Sequence, residues 1–146
     1  LWRDTSWRFL YKVDEVEEYY KECLMDMNQK IMEKNSRKYS NLVLDMLRYI
    51  RKNYNQEVSL ETLGDIFQMN GVYLGHLFKK EVGITFLKFL TNCRMEEAKR
   101  LLREGDLNIS EVSEQIGYKT SQYFSQIFDR IVGMKPQEYR KWNKKR

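Results

Sequence analysis

One pattern of apolar residues occurs twice in this sequence. Each copy predicts two short amphipathic helices separated by a turn, because its apolar residues recur at intervals of three and four. The coinciding aromatic–aliphatic pairs and closing glycines favour a true repeat over the partial match that any two amphipathic hairpins show. The matched positions are Leu60, Leu63, Gly64 and Phe67 with Ile109, Val112, Ser113 and Ile116 at an offset of 49, and Tyr73, Leu74, Leu77, Phe78 and Gly83 with Tyr123, Phe124, Ile127, Phe128 and Gly133 at an offset of 50.

The second copy has the pattern of a helix-turn-helix. Asn108 or Ser110 can cap its first helix, and Thr120 or Ser121 can cap its second. Such side chains accept hydrogen bonds from the free N–H groups at the start of a helix. Gly117 provides the backbone freedom that the turn between the two helices requires.

The rest of the chain is also helical in pattern. One proline and seven glycines in 146 residues argue against a turn-rich β fold. We predict an all-α protein with two helix-turn-helix subdomains, like a pair of homeodomains, joined by a long central helix and preceded by an N-terminal helical segment. The predicted segments are a linker or dimerisation segment at 1–40 and a domain at 41–146, with the first helix-turn-helix at about 59–82, the central helix at about 86–102 and the second helix-turn-helix at about 109–131.

Residues 13–38 are open to two interpretations. Their apolar side chains recur at three and four residues with charges between them. Such heptads predict a coiled-coil seam that would pair two copies of the chain as a homodimer. A single amphipathic helix lying on its own domain fits the same pattern, and Tyr20, Cys23 and Met27 are poorer seam residues than Leu or Ile.

The net charge of +5 is unevenly distributed. Residues 1–40 carry eight basic and eight acidic side chains, and residues 41–83 carry five of each, so the surplus lies downstream. A positive field there favours a polyanionic partner, although a basic solvated surface would have the same composition.

Residues that carry catalytic or metal chemistry are sparse. Cys23 and Cys93 are far apart and His76 is the single histidine, so we predict neither a metal site nor a disulfide framework. The sequence has no phosphate-binding glycine loop and no nucleophile with a base, and we expect no enzymatic activity and no cofactor. No apolar run approaches the roughly eighteen residues of a membrane span. We expect a cytoplasmic protein without a membrane segment.

Two expectations concern packing. Gly64 lies inside a predicted helix, where glycine costs about 1 kcal/mol relative to alanine, so we expect a close contact with a neighbouring helix at this position. The aromatic side chains Tyr73, Phe78, Tyr123 and Phe128 are predicted to lie in the core and not to serve as stacking platforms.

The second helix of the second copy has an outward face that suits nucleic acid. Its side chains have lengths that reach base edges or phosphates, which predicts that this helix enters a DNA major groove. Two such units on one rigid helix would place their second helices about 34 Å apart, in successive major grooves of one duplex. The residues are Lys119, Thr120, Ser121, Gln122, Ser125, Gln126 and Arg130.

A longer spaced motif runs through both copies. It consists of Leu74-x-x-Leu77-Phe78-Lys79-Lys80-Glu81-x-Gly83, Arg94-Met95-x-x-Ala98-x-x-Leu101-Leu102, Ile109-x-x-Val112-x-x-x-Ile116-Gly117-Tyr118-x-x-x-x-Tyr123-Phe124-Ser125-x-x-Phe128 and Gly133-x-x-Pro136-x-x-Tyr139-Arg140. Over about residues 41 to 142 this motif resembles the DNA-binding domain of the AraC/XylS family of transcription regulators. The resemblance implies a seven-helix domain with two helix-turn-helix units that binds asymmetric, double-stranded promoter DNA.

The resemblance also assigns the side chains that face the groove, and this sequence departs from the family at some of them. Gly71 and Gly75 have no side chain, which leaves His76 as the polar reader of the first unit. Asp129 stands where many members carry a lysine, and it would repel phosphate. We expect the first unit to contribute affinity and shape more than sequence choice. The implied contacts are Val72, Gly75, His76 and Lys79 in the first unit, and Thr120, Ser121, Gln122, Ser125 and Gln126 in the second.

A protein-interaction module is the alternative function. Such a module would couple an upstream sensor domain to the transcription machinery, with RNA polymerase as a partner. Salt separates the two functions, because a DNA complex loses affinity steeply as salt rises and an apolar protein contact does not.

Overall fold

A computed structural model of the protein describes residues 38–144. The chain divides into the units Leu1–Ser40 and Asn41–Arg146, and the helices described here belong to the second. Residues 38–144 form seven α-helices and no β-strand, which confirms the all-α prediction. The predicted helix and homodimer seam at 13–38 fall outside these residues except for Lys38. The helices are α1 Asn41–Asn53, α2 Leu60–Phe67, α3 Gly71–Val82, α4 Phe86–Glu104, α5 Ile109–Gln115, α6 Ser121–Val132 and α7 Pro136–Lys144.

Polar side chains at the N-cap positions explain where the helices start. The Ser59 hydroxyl accepts a hydrogen bond from the N–H of Thr62 at 3.1 Å and begins α2. Asn108 and Glu111 begin α5 with a reciprocal capping box, with N···O distances of 2.7 and 2.9 Å. Thr120, not Ser121, caps α6.

Helix α4 belongs to two hydrophobic cores at once. Near its start, the rings of Phe86 and Phe89 lie 6.4 and 5.6 Å from the ring of Phe78 in α3. Further along, Met95 and Leu102 are buried with apolar residues of α5, α6 and α7. The helix extends to Glu104, two residues past the predicted end at 102. It therefore connects the two helix-turn-helix units as a shared core element.

The glycine inside α2 lies against the following turn. A Cβ on Gly64 would stand 2.8 Å from the carbonyl oxygen of Met69 and 3.3 Å from the nitrogen of Gly71, the first residue of α3. Its counterpart Ser113 is also buried. In both units a backbone N–H of the turn donates a hydrogen bond to the carbonyl of this position. Met69 donates to Gly64, and Tyr118 donates to Ser113, each at 2.9 Å. The predicted close contact at Gly64 is thus present.

Two of the four predicted core aromatics are not in the core. Phe78 and Phe128 are fully buried, but Tyr73 is 51% exposed and Tyr123 is 55% exposed. Each tyrosine precedes the first buried residue of its helix by one position, and one residue is a rotation of about 100°. The ring therefore lies on the flank of the helix, and its assignment to the core was wrong.

None of the helices in the described range is long and apolar enough to span a membrane.

Candidate nucleic-acid interface

Helix α3 is the second helix of the first unit. Its cap is Asn70, whose Oδ1 accepts hydrogen bonds from the N–H groups of Val72 and Tyr73 at 2.9 and 3.1 Å. Leu74 and Phe78 are fully buried and fix the helix on its unit. The helix ends at Gly83, which adopts a left-handed φ of 88°, a conformation that favours glycine.

Helix α6 is built in the same way in the second unit. The Thr120 hydroxyl accepts from the N–H of Tyr123 at 3.2 Å, Phe124 and Phe128 are fully buried, and Gly133 ends the helix at a φ of 83°. The degree of burial matches position by position between 71–80 and 121–130. The internal repeat of the sequence is therefore a repeat of packing as well.

Each of these helices presents a polar face opposite its buried residues. Positions separated by three, four and seven residues share one side of a helix. In α3 this side carries Val72, His76, Lys79 and Lys80, and in α6 the equivalent positions carry Gln122, Gln126, Asp129 and Arg130, all of them exposed. Val72, the apolar member of the set, is 66% exposed. We call these two sets the α3 face and the α6 face.

Three predicted site residues within the two helices do not lie on these faces. Gly75 points toward α2, because a Cβ there would stand 2.9 Å from Cδ1 of Leu60. Ser125, its counterpart in α6, is half-buried and lines a pocket with Ile109 and Pro136. Ser121, the first residue of α6, is also half-buried.

The remaining predicted residues lie at the start of α6. Thr120 is exposed, but its hydroxyl oxygen is engaged in capping the helix. The Lys119 ammonium lies 3.9 Å from Oε1 of Glu57, and both side chains are strongly exposed. Such a solvent-exposed pair is weak, so Lys119 remains available to a phosphate.

Sequence reasoning missed three exposed side chains that lie on or beside the two faces. Lys80 is the counterpart of Arg130 on the α3 face, and the offset of 50 was the signal that identifies it. Tyr73 and Tyr123 flank the faces at equivalent positions and present half of their surface to solvent. Their aromatic character alone suggested burial, and the signal against it was their position one residue before the core.

A cleft of about 660 Å³ is lined by the loop at 55–58, by α4 and by the turn and start of α6. Tyr123 lies at its edge, with its ring 5.8 Å from that of Tyr118. The Arg94 guanidinium lies 5.1 Å from the centre of the Tyr118 ring. Burial raises the pKa of the Tyr118 hydroxyl above its ordinary value, and the positive charge of Arg94 opposes that shift.

Comparison with known proteins identifies relatives of this architecture. A family model described as a helix-turn-helix domain matches residues 63–141. YdiP of Escherichia coli K12, described as an uncharacterized HTH-type transcriptional regulator, is 35% identical over 100 residues, which are 68% of this chain and 33% of YdiP. The chain spans a third or less of the length of YdiP and of two other curated regulators of similar sequence.

Solved structures share the fold. The C-terminal domain of AraT, a response regulator from Geobacillus stearothermophilus, is 38% identical with a TM-score of 0.68, over 70% of this chain and 85% of that one. The DNA-binding domain of AdpA, solved in complex with a target DNA, has a TM-score of 0.65 over 69% of this chain and 91% of that one. At 24% identity the AdpA match shows the fold alone.

Proposed function

The chain belongs to the AraC/XylS family of transcription regulators, and we propose that it binds double-stranded promoter DNA sequence-specifically, with α3 and α6 in successive major grooves. The observation that carries this proposal is the equivalence of the α3 and α6 faces. Two helices whose N-caps, buried pairs and exposed residues occupy equivalent positions are suited to the same task. The solved complex of AdpA with a target DNA supports the assignment by fold.

The two faces have different chemical capacities. Gln122 and Gln126 each carry an amide that can donate to and accept from adenine, and such bidentate pairs discriminate between bases. On the α3 face His76 is the side chain that can read a base by hydrogen bonds, while Val72 can contact a thymine methyl group. Sequence choice in this proposal comes mainly from α6.

Positive side chains around both faces would position the helices on the phosphates. Lys79 and Lys80 lie on the α3 face, Arg130 lies on the α6 face, and Lys119 precedes α6. Such contacts carry affinity and register, without sequence information. Asp129 opposes them at the position equivalent to Lys79.

The proposal is tested by selecting duplexes from a random pool with the purified chain, followed by titration of the best duplex at two salt concentrations. Four phosphate contacts predict a slope of log K against log salt of about −3.6, hence a loss of about 150-fold between 50 and 200 mM salt. We expect one enriched sequence, bound with that dependence. No enrichment, or binding that is independent of salt, would contradict the proposal and favour a protein-interaction module.

Two further partners, a second copy of the chain and RNA polymerase, are proposed from the sequence alone. Pairing of two copies through residues 13–38 predicts a dimer in sedimentation equilibrium, and deletion of 1–38 should return a monomer. Contact with RNA polymerase predicts that transcription from a promoter carrying the selected duplex depends on the chain. A monomer at all concentrations, or transcription that does not respond to the chain, would remove the respective partner.

A further inference from the structure

The two helix-turn-helix units touch each other outside the shared helix α4. The loop at 54–57, between α1 and α2, belongs to the first unit, and the turn at 117–119, before α6, belongs to the second. Gly117 adopts a left-handed φ of 91°, and a Cβ on it would stand 2.7 Å from the carbonyl oxygen of Asn55. The backbones of loop and turn are therefore in direct contact.

One side chain of α4 joins this loop to this turn. Arg94 Nε donates to the carbonyl of Tyr54 at 2.7 Å, and Arg94 Nη2 donates to the carbonyl of Gln56 at 2.9 Å. The same guanidinium lies over the ring of Tyr118 at 5.1 Å. Tyr118 is held in turn by the rings of Phe124 and Tyr123, at 5.9 and 5.8 Å. Arg94 thus contacts both units from the helix between them.

A second attachment changes how the units can move. If α4 were the single connection, each unit could rock on the helix by small shifts of packed side chains, which is the usual shear motion between packed elements. A contact away from the axis of α4 opposes that rotation. This contact costs little side-chain entropy, because the planar guanidinium of Arg94 has fixed donor directions that match the two carbonyls.

We infer that Arg94, with Gly117 and Tyr118, is a clamp that fixes the distance and angle between α3 and α6. Arg94 is a positioning residue in this assignment and does not touch DNA. The consequence for DNA rests on the proposed function: a fixed distance makes binding depend on the number of base pairs between the two half-sites. One base pair moves a half-site by about 3.4 Å and turns it by about 35°.

A purely stabilising role for Arg94 would have different consequences, and the chain offers a matched control. Arg140 in α7 also donates from its guanidinium to a loop carbonyl, that of Leu107, but this bond stays within the second unit. Arg94→Gln and Arg140→Gln should both lower the melting temperature. The clamp predicts that Arg94→Gln alone changes the geometry between the units.

The first test measures this geometry without DNA. Spin labels attached after Lys80→Cys and Arg130→Cys, in the full chain with Cys23→Ser and Cys93→Ala, report the distance between equivalent positions of α3 and α6 by pulsed electron resonance. We expect one narrow distribution in the background and with Arg140→Gln, and a broadened or shifted one with Arg94→Gln. A broad distribution in the background, or no effect of Arg94→Gln, would overturn the clamp even if the chain binds DNA well.

The second test uses the unlabelled chain and the duplex selected from the random pool, with one or two base pairs inserted or removed between the half-sites. Wild type and Arg140→Gln should lose about tenfold or more in affinity per base pair, which is 1.4 kcal/mol. Arg94→Gln should bind the altered duplexes nearly as well as the original. If the affinity of all three proteins depends equally on the number of base pairs between the half-sites, the inference is overturned. An absence of DNA binding would contradict the proposed function, and the clamp would then be decided by the distance measurement of the first test.

If Arg94→Gln does not fold, Tyr118→Leu replaces it in both tests. This substitution keeps the bonds of Arg94 to the first unit and removes its contact with the second. A broadened distance distribution and a flattened spacing profile support the clamp, and unchanged ones overturn it.

Discussion

At the scale of single residues, Gly64 and Ser113 show how one position serves two units differently. Both are contacted by the turn that follows, but Ser113 already carries a Cβ, whereas a Cβ on Gly64 would stand 2.8 Å from the carbonyl oxygen of Met69. Helix propensity would make Gly64→Ala stabilising by about 1 kcal/mol. Because the blocking atom belongs to the backbone, we instead expect a loss of about 1–3 kcal/mol in the free energy of unfolding.

Urea denaturation of Gly64→Ala beside Ser113→Ala measures this contrast. Ser113 is 1% exposed, and its hydroxyl has no hydrogen-bond partner among residues 38–144. Removing an unsatisfied buried hydroxyl should leave stability unchanged or raise it by about 1 kcal/mol. An increase for Gly64→Ala would show that the turn yields and that the close approach is not a constraint.

The amide of Gln126 is the side chain on the α6 face from which we expect the clearest base readout. Gln126→Ala should relax the preference at one base pair by about 1–3 kcal/mol and leave the others in place. Gln115 is also exposed but belongs to α5, so Gln115→Ala is the control. Affinities for all single-base variants of the selected duplex give the measurement, and an unchanged ranking for Gln126→Ala would remove it from the readout.

At the scale of elements, the sequence was sufficient to predict the helices but not every orientation on them. Caps such as Asn108 and closing glycines such as Gly133 act locally, so the residues beside them reveal the helix ends. The direction of Gly75 toward α2 depends on how two helices cross, which no local pattern contains. The exposure of Tyr73 has the same origin, because its ring lies just outside the contact between helices.

Helices α3 and α6 differ most in the charge of their exposed faces. Lys79 on the α3 face is replaced at the equivalent position of the α6 face by Asp129. We expect Asp129→Asn to raise the affinity for the selected duplex several-fold, because a negative charge is removed from beside the phosphates, and the gain should shrink as salt rises.

Asp45→Asn is the matched control for that charge change. Asp45 lies on α1, outside both faces, and pairs with Arg48 of its own helix at 2.7 Å. Its substitution should alter the affinity by less than twofold. If Asp129→Asn weakens binding, or if both variants have the same effect, then Asp129 does not face the phosphate backbone.

At the scale of the whole molecule, the repeat in the sequence predicted two units on one central helix, and the structure has this plan. The contact between the units was not predictable, since Arg94 reaches carbonyls of residues 38 and 40 positions away in the chain. Backbone carbonyls carry no sequence signal, and Gly117 was interpreted as a turn residue without its contact to Asn55. Sequence patterns therefore did not predict the long-range packing of the loops.

The central claim is that α3 and α6 enter successive major grooves on one side of the duplex. Base-pair substitution through the selected duplex, combined with methylation interference at guanine N7, tests it most directly, because substitution locates the sensitive base pairs and N7 lies in the major groove. We expect two clusters of sensitive positions, a stronger one from α6 and a weaker one from α3, about 10 base pairs apart and on one face of the DNA. A single cluster, or two clusters about five base pairs apart on opposite faces of the helix, would contradict it.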